Sequence, residues 1–131
     1  MTSAVTHALD GPRARWTAAG LWMVLLWWLS SRPVLPGPDL PFLDKAEHGA
    51  AYAVLAMLLA RALLPVRALA SRPIAERWSL IILACTLYGV FDELHQAFVP
   101  GRFPDAWDVA ADAGGALAAA LVLGAARRPR V

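Results

Sequence analysis

Tyr88-Gly-Val-Phe-Asp92-Glu93-Leu-His95-Gln96-Ala-Phe98-Val-Pro100-Gly-Arg102-Phe-Pro-Asp105-Ala-Trp107-Asp108-Val-Ala-Ala-Asp112 is the stretch on which the reading of the chain turns. It holds five carboxylates, a histidine, an arginine and a Pro-Gly turn. The residues on both sides of it are almost purely apolar. Charge at this density is costly if the flanking runs lie in lipid, so the first question is whether they do.

Composition answers that they do. Of 131 residues, 59% are hydrophobic, and the mean hydropathy is +0.51. A soluble domain of this length needs more polar surface to cover its core. Six tryptophans fit a protein whose aromatic residues collect at membrane interfaces. The pI of about 9.2 comes from arginines that flank the apolar runs. They form no single stripe, so a nucleic-acid partner is not expected. Cys85 is the only cysteine, which excludes an intrachain disulfide.

Working outward, four apolar runs emerge: Trp16 to Ser31, Ala46 to Leu64, Trp78 to Phe98 and Asp105 to Ala126. The first follows Arg13 and Arg15 as a signal peptide would. It ends in Ser30-Ser31-Arg32-Pro33, a poor cleavage site, so it reads as a retained span. Four prolines between Pro33 and Pro41 make a stiff, extended connection. Asp44 is expected to cap the second helix. Residues 65–77 read as a short basic loop. The fold class is therefore an all-α integral membrane protein with four transmembrane helices. Residues 1–15 form a cytoplasmic tail, 16–126 the membrane domain and 127–131 a basic cytoplasmic tail.

Four spans bring scattered residues together. The start of the second span, the end of the third and the start of the fourth lie on one side of the membrane. The opposite side collects Arg13, Arg15, Arg61, Arg67, Arg72, Arg77, Arg127, Arg128 and Arg130, against Arg32, Lys45 and Arg102 on the first. That imbalance sets both termini inside and a polar pocket at the extracytoplasmic end. Eight of the ten acids, Asp39 among them, fall on the pocket side. Asp44, His48 and Tyr52 share one helical face, Tyr88, Asp92, His95 and Gln96 another, and Asp105, Asp108 and Asp112 a third. The expected solution turns these faces inward, so that carboxylates meet His48, His95, Lys45 and Arg102. Gly114, Gly115, Ala118 and Ala119 allow close helix approach.

Asp44-Lys45-x-x-His48 with Tyr52, then Asp92-Glu93-x-x-Gln96-x-Phe98-x-Pro100-x-Arg102, then Asp108-x-x-x-Asp112-x-x-Gly115 resemble the VanZ-like family of small membrane proteins. The resemblance covers residues 20–124. Asp112 stands where the family usually has Asn, which adds charge and removes an amide donor. The resemblance implies a place in the cell envelope and an influence on resistance to teicoplanin-type glycopeptides.

Several kinds of function suit this layer. In a catalytic reading, His48 is a base oriented by Asp92 and Asp108. In a binding reading, Asp44, Lys45, Tyr52, Glu93, His95, Gln96, Arg102, Asp105 and Asp112 hold a lipid headgroup, a lipid-linked cell-wall precursor or a lipophilic glycopeptide. Arg102 would act as an anion clamp. In a structural reading, the layer is an ion-pair network that only holds a membrane assembly module together. Proton transport fits poorly, because the polar groups stop in the outer half of the spans. The residues leave open whether the protein is an enzyme and what its oligomeric state is. No resident cofactor is expected: a divalent metal between His48, His95 and nearby carboxylates is conceivable, but no ligand-spacing motif supports it. The expected location is the cytoplasmic membrane, with the functional face outward.

Overall fold

A computed structural model describes residues 11–33 and 42–126. The proline-rich stretch from Pro36 to Pro41, Asp39, the first ten residues and the tail with Arg127, Arg128 and Arg130 lie outside the described residues. Four long helices and one short one make up the described chain: α1 (Pro12–Ser30), α2 (Leu43–Leu63), α3 (Arg67–Ala70), α4 (Ile74–Gln96) and α5 (Ala106–Ala126). No strand occurs among the described residues. Two segments, Ile74–Gln96 and Ala106–Gly124, are long and apolar enough to cross a membrane. α1 and α2 have comparable lengths of 19 and 21 residues, and they carry charged residues near their ends.

Helix starts differ from the sequence expectation in three places, one of them α4, which begins at Ile74 and not at Trp78. α1 begins at Pro12, four residues before Trp16, because proline is pre-organised for the first helical turn and lacks only an N–H that has no partner there. Arg13 and Arg15 then continue the helix. α2 begins at Leu43, so Asp44 lies inside its first turn and does not cap it. The capping position is Phe42, in the left-handed conformation with φ 66°. Asp44 still stabilises this end, as a carboxylate beside the positive pole of the helix. The basic connection is partly helical as α3. Arg77 ties it down by donating to the carbonyls of Leu64, Ala70 and Arg72.

Contacts fix the helix directions. Tyr88 Oη donates to Met23 O, and Ser30 at the end of α1 meets Asp92 near the end of α4, so α1 and α4 run parallel. Lys45 meets Asp105 and Asp108, and His48 meets Asp112, so α2 and α5 run parallel. The ends of α1 and α4 therefore gather with the starts of α2 and α5. α2 and α5 form the most intimate pair, and glycine explains why. A Cβ on Gly115 would lie 1.9 Å from Gly49 O, so only glycine permits this backbone approach.

The core is made of Tyr52, Leu55, Ala56, Ile81, Cys85, Ala116 and neighbouring small residues. Asp92, Glu93, Gln96, Asp108 and Asp112 are also buried, whereas Leu21, Val24, Leu83, Leu87, Leu121 and Val122 are exposed. Polar groups inside and leucines outside suit a lipid surround far better than water.

Candidate functional site

The polar end divides into two neighbouring parts. The first lies between α2, α4 and α5. Lys45 Nζ is its hub, 2.9 Å from Asp44 Oδ2, 2.6 Å from Asp105 Oδ2 and 2.7 Å from Asp108 Oδ1. One turn deeper, His48 Nδ1 is 3.0 Å from Asp112 Oδ1, and its Nε2 is 3.8 Å from Asp108 Oδ2. Asp112 is 1% exposed. Gly89 of α4 makes room for it, since a Cβ there would come within 2.4 Å of Asp112 Oδ2. Glu93 closes the group: its Oε2 accepts the Asp105 backbone N–H at 2.7 Å and its Oε1 accepts Gln96 Nε2 at 3.2 Å. His48, Glu93 and Asp108 each offer a ligand atom, all within 4.8 Å of one another.

Asp105 sits in the connection just ahead of α5. Its carboxyl is held below the ordinary carboxylate range, chiefly by the Lys45 ammonium and then by the Trp107 backbone N–H.

The second part is a cavity of about 190 Å³ between α1, α2 and α4. Leu26, Leu29 and Ala51 form its apolar walls, and Ser30, Asp44, Glu47, His48, Tyr52, Asp92, Gln96 and Arg102 supply its polar atoms. Asp92 is buried and, among the described residues, receives only neutral donors, Ser30 Oγ at 2.6 Å and Gln96 Nε2 at 3.4 Å. Tyr52 is 1% exposed, and its hydroxyl has no hydrogen-bond partner among the described groups. A buried hydroxyl without a partner costs about 1–3 kcal/mol.

Two expected pairings are corrected by the structure. His95 does not face the carboxylates: its Nε2 is 2.9 Å from Ser31 Oγ, and its ring stacks on Trp27 with centroids 3.7 Å apart. Arg102 does not meet a carboxylate among the described residues either. Its guanidinium donates to the carbonyls of Arg32 and Leu29 at 3.1 and 3.4 Å, completing the C-terminal end of α1. Asp44, Lys45, His48, Tyr52, Asp92, Glu93, Gln96, Asp105, Asp108 and Asp112 do come together at one end. Sequence reasoning passed over Ser30 and Glu47 as cavity residues. Two adjacent serines at the end of an apolar run were the available signal for Ser30.

Comparison with known proteins gives the family of the chain. No curated protein and no solved structure matches the chain. The family model described as VanZ/LLP1 matches residues 16–127, which takes in all four long helices nearly whole, and the chain therefore belongs to the VanZ-like family.

Proposed function

We propose that the protein crosses the cytoplasmic membrane four times with both termini inside, and that its cavity binds an amphiphilic component of the cell envelope at the outer leaflet. Lipid headgroups, lipid-linked cell-wall precursors and lipophilic glycopeptides share the needed chemistry, an apolar tail beside a hydrogen-bonding head. Membership of the VanZ-like family and the apolar outer surface of the bundle support this reading. The observation that carries it is the cavity itself. Leu26 and Leu29 stand beside a buried carboxylate, Asp92, and an unpartnered hydroxyl, Tyr52. A purely structural layer would have paired the Tyr52 hydroxyl, since a buried polar atom left alone costs stability.

The same reading places the protein's effect on sensitivity to teicoplanin-type glycopeptides. Cells producing wild type or Asp92→Asn at matched membrane levels test it. Asn keeps the shape and removes the charge. Protection by wild type and its loss in the variant is the expected result. Equal protection by both would exclude the Asp92 carboxylate from the function.

The Lys45 network favours a second role for part of the layer, locking α2 against α5 through Asp105 and Asp108. Lys45→Met should lower thermal stability whether or not the cavity holds a ligand.

A further inference from the structure

We infer that His48, Glu93 and Asp108 form a binding site for one divalent transition-metal ion of the Zn²⁺ or Mn²⁺ class. The three side chains come from α2, α4 and α5, and no spacing rule in the sequence joins them. Their ligand atoms lie within 4.8 Å of one another. Three ligands each about 2.1 Å from one ion lie about 3.4–3.6 Å apart, so a closure of about 1.4 Å or less between any two assembles the set. Glu93 is 5% exposed and Asp108 8%. One imidazole with two carboxylates suits a first-row divalent ion.

The placement of the His48 ring is the independent observation. Nδ1 is 3.0 Å from Asp112 Oδ1. Nε2 faces Asp108 Oδ2 across 3.8 Å, too far for a hydrogen bond, and so lies open to an ion. Donation of the other ring N–H to a carboxylate is the outer arrangement that metal-bound histidines adopt. Asp108 Oδ1 is engaged by Lys45 Nζ at 2.7 Å, which leaves Oδ2 as the ligand atom.

His48 also lines the cavity, so an ion held by Nε2 sits beside whatever the cavity binds.

The test uses full-length protein in nanodiscs, treated with chelator and then titrated with Zn²⁺, and separately with Mn²⁺, against a competing chromophoric chelator. One equivalent per chain is expected. Glu93→Gln and Asp108→Asn should each weaken binding at least tenfold. Asp112→Asn, which alters only the partner of the His48 N–H, should weaken it about 10–100-fold. Glu76→Gln, at the opposite end of α4, should change nothing. Zn²⁺ should raise the Tm of wild type and not that of Glu93→Gln. If Glu93→Gln does not fold, Asp112→Asn keeps the test decisive. Absence of stoichiometric binding to wild type, or wild-type affinity in both Glu93→Gln and Asp112→Asn, overturns the site and leaves an imidazolium paired with carboxylates. The amphiphile reading stands apart from this result, since it rests on Asp92 and Tyr52 and not on these ligands.

Discussion

His48 Nδ1 lies 3.0 Å from Asp112 Oδ1, while the second oxygen of Asp112 is buried without a hydrogen-bond partner among the described groups. Asp112 is thus half satisfied, and its two neutral replacements should behave differently. Asp112→Asn keeps an oxygen for the His48 N–H and removes a buried charge. In metal-free protein its Tm should equal or exceed that of wild type. Asp112→Ala leaves the His48 N–H without an acceptor and should cost about 1–3 kcal/mol. Thermal unfolding of the three proteins after chelation checks this. A large loss in the Asn variant would mean that the ionised carboxylate itself holds the bundle.

Adjacent glycines in α5 should give opposite results. A Cβ on Gly115 would strike the Gly49 carbonyl, whereas one on Gly114 would meet nothing within 4 Å. Gly115→Ala must push α2 and α5 apart and should cost about 1–3 kcal/mol. Gly114→Ala should be neutral or gain up to about 1 kcal/mol from helix propensity. Unfolding in detergent distinguishes them.

Topology can be read by labelling. Cys85 is fully buried, so an impermeant maleimide should leave wild type unmodified in intact cells. Phe103→Cys, in the exposed connection at the polar end, should label from outside. Ser71→Cys, exposed at the opposite end, should label only after the membrane is opened. The reverse pattern would invert the proposed orientation.

The Asp105–Lys45 contact predicts a direction with pH. Asp105's carboxyl is held below its unfolded value, first by accepting from Lys45 Nζ. The stability it contributes is therefore fully present above the unfolded carboxylate pKa of about 3.9. It is lost as pH falls through the lower folded value. Between pH 5 and 3, the Tm of Asp105→Asn should fall less than that of wild type. An equal fall would remove this pair from the acid response.

Much of the polar end was legible because period and alternation of spans suffice to place residues along an axis. Asp44, His48, Asp92 and Asp108 required only counting. Rotation about each helix axis was not legible, and it decides partners. His95 lies within a turn of Asp92, yet it points to Ser31 and Trp27 of α1. Arg102 was expected to meet the acids of the layer, because arginine near acids usually pairs with them. The open carbonyls at the end of α1 compete for the same donors. The Glu93–His48–Asp108 group could not be seen either, since its members come from three helices and share no spacing. Asp44 as a cap failed for a local reason: Phe42 takes the left-handed conformation and starts α2 earlier.

The central claim is that the cavity between α1, α2 and α4 holds an envelope amphiphile. Its most direct test is mass spectrometry of the amphiphiles that stay bound when wild type and an Asp92→Asn, Tyr52→Phe double variant are extracted in native nanodiscs and washed with detergent. The account predicts one class enriched at close to one molecule per wild-type chain and depleted at least tenfold in the variant. Identical amphiphile content in the two proteins, both folded, would contradict it.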